Sequence, residues 1–172
     1  SDSMRSSMSE VRALTKVLRN NIDGINDGMS FGTTTKPTSF AQLISEEEER
    51  LSRLNRSPVV EVTGEEFAPE FPQAILDSIA AITTEACLNA VKYSPPGAEI
   101  VISVQPHMGW TVITITNPVA KPTSKNIEMS SGIGMSSMNR IAATIDARLD
   151  TELESGKWEL ILSLPPSAHK RR

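Results

Sequence analysis

The stretch EIVISVQPHMGWTVITIT, residues 99–116, decides the fold. Glu99-Ile100-Val101-Ile102-Ser103-Val104 and Trp110-Thr111-Val112-Ile113-Thr114-Ile115-Thr116 are rich in the β-branched and aromatic residues that suit a pleated strand. The short connection Pro106 to Gly109 makes them a hairpin, and so antiparallel. Upstream, Ile75, Ile79, Ile82 and Ala86 mark one apolar stripe of a long helix over about residues 71–93. Before that helix, Val59-Val60-Glu61-Val62 reads as a strand, entered through the helix-breaking Asn55-Arg56-Ser57-Pro58. Downstream, a polar stretch from Asn117 to Ser131 leads to Gly132-Ile133-Gly134, which opens a helix MSSMNRIAATID. The end alternates again: Arg148 to Leu153, a turn at Ser155-Gly156, then Trp158 to Leu164. Helices interleaved with antiparallel hairpins predict an α+β protein, a two-layer sandwich with a mixed sheet covered by helices, and exclude a doubly wound parallel sheet.

The front of the chain is different. Met4, Val11, Leu18 and Ile25 recur every seven residues beside Met8, Leu14 and Ile22, an amphipathic N-terminal helix too short to stand alone. It reads equally as a helix docked on its own domain or as one arm of a helical bundle. Residues 27–38 read as a loop. Ser39 and Gln42 fit a capping box that starts a helix FAQLISEEEERLSRLN, whose Glu46 to Glu49 cluster reads as a solvated face. The opening Ser1-Asp2-Ser3-Met4 reads as the start of an excised piece.

Composition narrows the function. The chain has 172 residues, 38% apolar and 22% charged, which is ordinary for one globular domain. Its single cysteine, Cys87, excludes a disulfide framework, a Cys-type zinc site and a CxxC redox centre. Cys87 lies inside the long helix with no base arranged for it and reads as a small core residue. Two histidines, His107 and His169, are too few for a His-rich metal site. A net charge of −4 supports no broad basic surface, so no nucleic-acid partner is expected. No apolar run suggests a membrane span.

Three features can carry chemistry. Glu85, Asn89 and Lys92 stand at i, i+4 and i+7 and share one face of the long helix. A carboxylate, an amide oxygen and an ammonium together suit Mg²⁺ and phosphate, because Mg²⁺ takes hard oxygen ligands and only one or two from protein. The competing reading is an ordinary solvated stripe. Gly132-Ile133-Gly134-Met135 frees backbone N–H groups at a helix start, where the dipole favours an anion, or is plain loop punctuation. Asn117 leaves a strand end and can pair with the edge of a purine, or it merely initiates an Asn-Pro turn.

Together these residues resemble a known family. TEACLNAVKYS (84–94) looks like the N box of the ATP-binding domain of two-component sensor histidine kinases, with Glu85 and Asn89 at its characteristic positions. SGIGMSSMNRI (131–141) resembles the glycine box after the ATP lid, and WELILSLP (158–165) the closing strand. MSEVRALTKVLR (8–19) is similar to the second helix of the dimerisation and phosphotransfer domain in the subfamily that pairs with NarL-type response regulators. The resemblance implies a Bergerat-type (GHKL) site for Mg-ATP, preceded by that helix. Asn89 would hold Mg²⁺, Lys92 would meet the phosphates, Glu85 would polarise the site, and Gly132, Ile133, Gly134 and Met135 would line the nucleotide with backbone. It divides the chain into a partial dimerisation domain (1–26), a linker and helix (27–57), the catalytic domain (58–166) and a tail (167–172) expected to lack order. It also implies a homodimer in the full-length protein and a cytoplasmic location, with any membrane anchor in segments outside this chain.

The sequence departs from the family pattern. Where Asp-x-Gly-x-Gly is usual, this chain has Asn117-Pro118-Val119-Ala120-Lys121. The Asn117 oxygen can still accept from the adenine amino group, but without charge, which weakens binding by roughly 1 kcal/mol. The usual Gly-Thr near the last strand is Lys157-Trp158, with Trp158 read as core or pocket wall, and the lid from Val119 to Ser131 is short. Neither His107 nor His169 sits on a helix before an acidic residue, so both read as incidental surface residues and the phosphoacceptor is expected upstream. Two alternatives stay open: an anti-sigma-factor serine kinase of the same fold, and a degenerate nucleotide-binding regulatory module.

Overall fold

The computed structural model describes residues 36–64, 69–120 and 133–169. Residues 37–172 form one compact unit. The Met4–Ile25 stripe and most of the lid lie outside the described residues.

The chain runs α1 (Phe40–Arg53), β1 (Ser57–Val62), α2 (Gln73–Tyr93), β2 (Glu99–His107), β3 (Trp110–Pro118), α3 (Ile133–Thr144), β4 (Arg148–Glu154) and β5 (Lys157–Leu164), then a short 3-10 turn, Pro166–Ala168. The five strands form one sheet in the order β1-β2-β3-β5-β4. β1 runs parallel to β2, and every other neighbouring pair is antiparallel, so the sheet is mixed as expected. Pro58, which cannot donate to a ladder, is tolerated because β1 is an edge strand.

Local chemistry sets the element ends. The Ser39 side chain caps α1 by accepting from the Gln42 N–H at 3.1 Å. The return half of the box is displaced by one residue: the Gln42 side-chain oxygen accepts from the Thr38 N–H at 2.9 Å. Asn55 leaves α1 with φ +58, a left-handed conformation that asparagine tolerates. Both hairpins close on two residues with positive φ, Met108-Gly109 and Ser155-Gly156, the geometry whose twist matches paired strands.

The core lies between one sheet face and the helices. Ile100, Ile102 and Val104 of β2, Ile113 and Ile115 of β3, and Leu160, Leu162 and Leu164 of β5 are all buried. They alternate along their strands and meet Leu76, Ile79, Ile82, Ala86, Cys87 and Ala90 of α2. Phe40, Leu43, Ile44 and Leu51 of α1 join the same core. By length and composition α2 is long and apolar enough to cross a membrane. Leu76, Ile79, Ile82, Ala86, Cys87 and Ala90 of this helix are buried in the core.

Three expectations need correction. The acidic run on α1 is not uniformly solvated, because Glu47 is only 3% exposed. It lies one turn from Leu43 and from Leu51, on the stripe those residues bury. Its Oε1 accepts from Thr84 Oγ1 of α2 at 2.7 Å and from Arg50 Nη1. Nor is His169 incidental, and the tail is ordered through it. Ala168 is buried, and the His169 ring stacks on Phe71 with centroids 5.0 Å apart. Its Nε2 lies 2.8 Å from the hydroxyl of Thr111, a fully buried residue, and its Nδ1 lies 3.1 Å from the Pro166 carbonyl. Phe71 in turn meets Phe40 at 5.5 Å, so the chain's end is fastened to the starts of both long helices.

Ile79, fully buried at the centre of α2, is expected to cost about 2–5 kcal/mol when truncated to alanine. Met108→Ala at the exposed hairpin tip should stay within about 0.5 kcal/mol. Urea midpoints of the two variants check this.

Candidate functional site

Helix α2 carries the polar face. Its buried arc contains Leu76, Ile79, Ile82, Thr83, Ala86, Cys87 and Ala90. Glu85, Asn89 and Lys92 lie beyond that arc and are half-buried, neither free in water nor enclosed. Thr84 and Glu85 are consecutive and so point about 100° apart. Thr84 turns to α1 and bonds Glu47. Glu85 turns to the start of α3: a methyl added at Gly134 would stand 2.6 Å from the Glu85 Oε1. The two motifs expected to share a site therefore touch. A side chain at this position would make the Glu85 carboxylate shift aside.

Asn117 lies on the sheet, near the end of β3. It follows Thr111, Ile113 and Ile115 at intervals of two along β3, on the face the helices cover. It is 1% exposed. Its Nδ2 donates to the Pro118 carbonyl at 3.0 Å, and its buried Oδ1 has no partner. Such an orphan acceptor costs about 1–3 kcal/mol. Trp158 stands directly across on β5, half-buried on the same face. Just past β3, the Ala120 N–H donates to the Tyr93 carbonyl at 3.1 Å, which brings the strand end to the last turn of α2. Lys92 lies in that turn with its ammonium 5.1 Å from the Tyr93 ring centroid. Burial pushes the Tyr93 phenol up from its usual range.

The structure thus places Glu85 against Gly134, and Asn117 at the end of the helix that bears Asn89 and Lys92. Met135 packs partly buried against the core. Gly132 and the side chain of Ile133 lie outside the described residues. Among the described residues no group of three or more His, Cys, Asp and Glu is placed to hold a metal ion together. Cys87 is fully buried, and burial, with the Glu47 charge behind it, pushes its thiol well above the usual range. That suits a core residue rather than a nucleophile.

Sequence reasoning missed the α1 side of the site. Glu47 looked like one charge in a solvated run, although its spacing from Leu43 and Leu51 marks it as inward. Arg56 looked like part of a helix break. Its guanidinium is the most heavily bonded polar group near α2, with bonds to Ser94 Oγ, Val91 O, Ser94 O, Leu54 O and Asn55 O.

No protein-family model and no curated protein matches the chain. Solved structures do. The catalytic domain of histidine kinase ThkA superposes with a TM-score of 0.60 at 16% identity, covering 74% of this chain and 94% of that one. The histidine kinase domain of a blue-light activated histidine kinase from Erythrobacter litoralis gives a TM-score of 0.64 at 10% identity, covering 96% and 94%. The Acinetobacter baumannii histidine kinase AdeS gives 0.60 at 13% identity, covering 94% and 82%. At these identities the likeness is one of fold: the α+β architecture is that of histidine kinase catalytic domains.

The Glu85–Gly134 contact can be read by a double-mutant cycle on stability. Gly134→Ala should displace the Glu85 carboxylate and cost less when Glu85 is already alanine, with a coupling of about 0.5–3 kcal/mol. Strict additivity of the two changes in urea denaturation would show that the side chains do not meet.

Proposed function

We propose that the chain is the catalytic ATP-binding domain of a two-component sensor histidine kinase, which passes the γ-phosphoryl group to a histidine outside residues 1–172. The observation that carries this reading is the buried, unpartnered Oδ1 of Asn117. An orphan acceptor on the floor of a fold like that of histidine kinase catalytic domains calls for a donor from a ligand. The adenine amino group is such a donor. Because the amide's own N–H₂ is engaged by Pro118, the residue presents an acceptor and discriminates against a base that offers another acceptor there.

The remaining residues fit the same ligand. The Asn89 oxygen would hold Mg²⁺, Glu85 would orient and polarise its surroundings, and Lys92 would meet phosphate charge. The backbone from Gly132 to Met135 would line the nucleotide, helped by the start of α3 and its dipole. Gly134 leaves the space beside Glu85 that a side chain would close. When bound, Mg²⁺ neutralises charge on the transferring phosphoryl group. The chain's own contribution is to hold the groups in place beforehand, since such reactions depend on positioning and charge stabilisation. Trp158, the cross-strand partner of Asn117, offers an aromatic surface on the same face of the sheet. The NarL-type response regulator, the homodimer of the full-length protein, the cytoplasmic location and a membrane anchor elsewhere in that protein belong to the same proposal.

One observation favours a second reading, a degenerate regulatory module. The acceptor at 117 is neutral, and Pro118, Val119, Ala120 and Lys121 follow it where the resembling family has glycines. Calorimetry with Mg-ATP separates the two. Wild type should bind, and Asn89→Ala should lose detectable binding. Asn117→Ala should bind Mg-ATP about tenfold more weakly, the equivalent of one hydrogen bond of about 1.4 kcal/mol, yet bind purine riboside triphosphate, which lacks the amino group, as wild type does. A wild-type chain that binds neither nucleotide supports the degenerate module.

A further inference from the structure

We infer that Arg56 is a positioning residue of the nucleotide site: it holds the last turn of α2, and with it Asn89 and Lys92, in place against the strand end that carries Asn117. The inference rests on the nucleotide-binding reading above. Arg56 follows the left-handed Asn55, and its own N–H donates to the Leu51 carbonyl at 3.0 Å, so its backbone is tied to the end of α1. From there the side chain crosses to the end of α2. Nε donates to Ser94 Oγ at 2.8 Å, and Nη2 donates to the carbonyls of Val91 at 2.8 Å and Ser94 at 2.9 Å. Nη1 donates back to the carbonyls of Leu54 at 3.0 Å and Asn55 at 3.1 Å.

The chemistry suits the place. The last carbonyls of a helix lack partners within it and carry partial negative charge. A guanidinium answers several of them at once with a rigid planar fork, which a lysine ammonium cannot reproduce. Between Val91 and Ser94 lies Tyr93, whose carbonyl accepts from the Ala120 N–H. The same helical turn is therefore gripped from the α1 side by Arg56 and itself grips the segment leaving β3, three residues past Asn117. Asn89 lies two residues before Val91, and Lys92 lies inside the gripped turn. Loss of the grip loosens both walls of the site together. A plain helix cap would stabilise the fold without this effect on the far wall.

The test uses the full chain with Arg56→Ala, Arg56→Lys and, as a control for stability alone, Leu43→Ala, a buried residue near the start of α1, at the other end of that helix from Arg56. Two quantities are read: the hydrogen-exchange rate of the Ala120 amide and the Mg-ATP dissociation constant. Arg56→Ala should speed Ala120 exchange and weaken Mg-ATP binding about tenfold. Arg56→Lys should recover little of either, and dilute guanidinium ion, below any denaturing concentration, should restore binding to Arg56→Ala. Leu43→Ala should lower the melting temperature at least as much while leaving affinity within about twofold. If Arg56→Ala loses no more affinity and exchanges no faster at Ala120 than Leu43→Ala, the inference is overturned. If Arg56→Ala does not fold, Arg56→Lys against Leu43→Ala decides by the same comparison. Failure of the wild type to bind Mg-ATP would defeat the nucleotide reading alone, and Ala120 exchange would then judge the mechanical link by itself.

Discussion

Leu76, Ile79, Ile82, Ala86 and Ala90 press α2 against the sheet, while α1 packs along one flank and α3 along the other. A helix so enclosed has a narrow strip of circumference left over. Polar side chains on it must find partners, because desolvation without compensation costs several kcal/mol. Thr84 finds Glu47, and Glu85 finds the opening that Gly134 leaves. The rest of the site follows from this enclosure. Lys92 emerges on the strip between α1 and α3, Asn89 stands on the α3 side beside Glu85, and the Ala120–Tyr93 bond ties the segment after Asn117 to the helix end.

Much of this was legible from residue order alone. The strands announced themselves through β-branched alternation, and both hairpin turns through glycine at the second position. The long helix was placed to within about two residues of its observed start, and its apolar stripe is the buried one. Other features were hidden for physical reasons. Charge hides burial: Glu47 sits in a run of four glutamates, and only its phase relative to Leu43 and Leu51 separates it from its exposed neighbour Glu48. Burial also raises the Glu46 carboxyl above its usual range, although Arg50 opposes the shift. Long-range contacts hide likewise. Arg56 lies 38 positions from Ser94, and His169 lies 58 from Thr111, separations that no local periodicity reports.

The candidate site was half legible. The resemblance, not the spacing, implied that Glu85 and Gly134 share a site, and the structure brings the two close together. Asn117 was weighed as a turn former or a base acceptor. It is buried, and its side-chain oxygen has no partner among the described residues. The Asn117 amide nitrogen lies 3.0 Å from the Pro118 carbonyl, a place where a carboxylate oxygen would be repelled.

The His169 clasp bears on the order in which the molecule assembles. Thr111 is the second residue of β3, at the centre of the sheet, yet the imidazole paired with its hydroxyl arrives only with the final described residue. A chain emerging from the ribosome can zip β2 to β3 long before that ring exists. Until His169 docks, the Thr111 hydroxyl lacks this partner and Phe71 lacks the ring stacked on it.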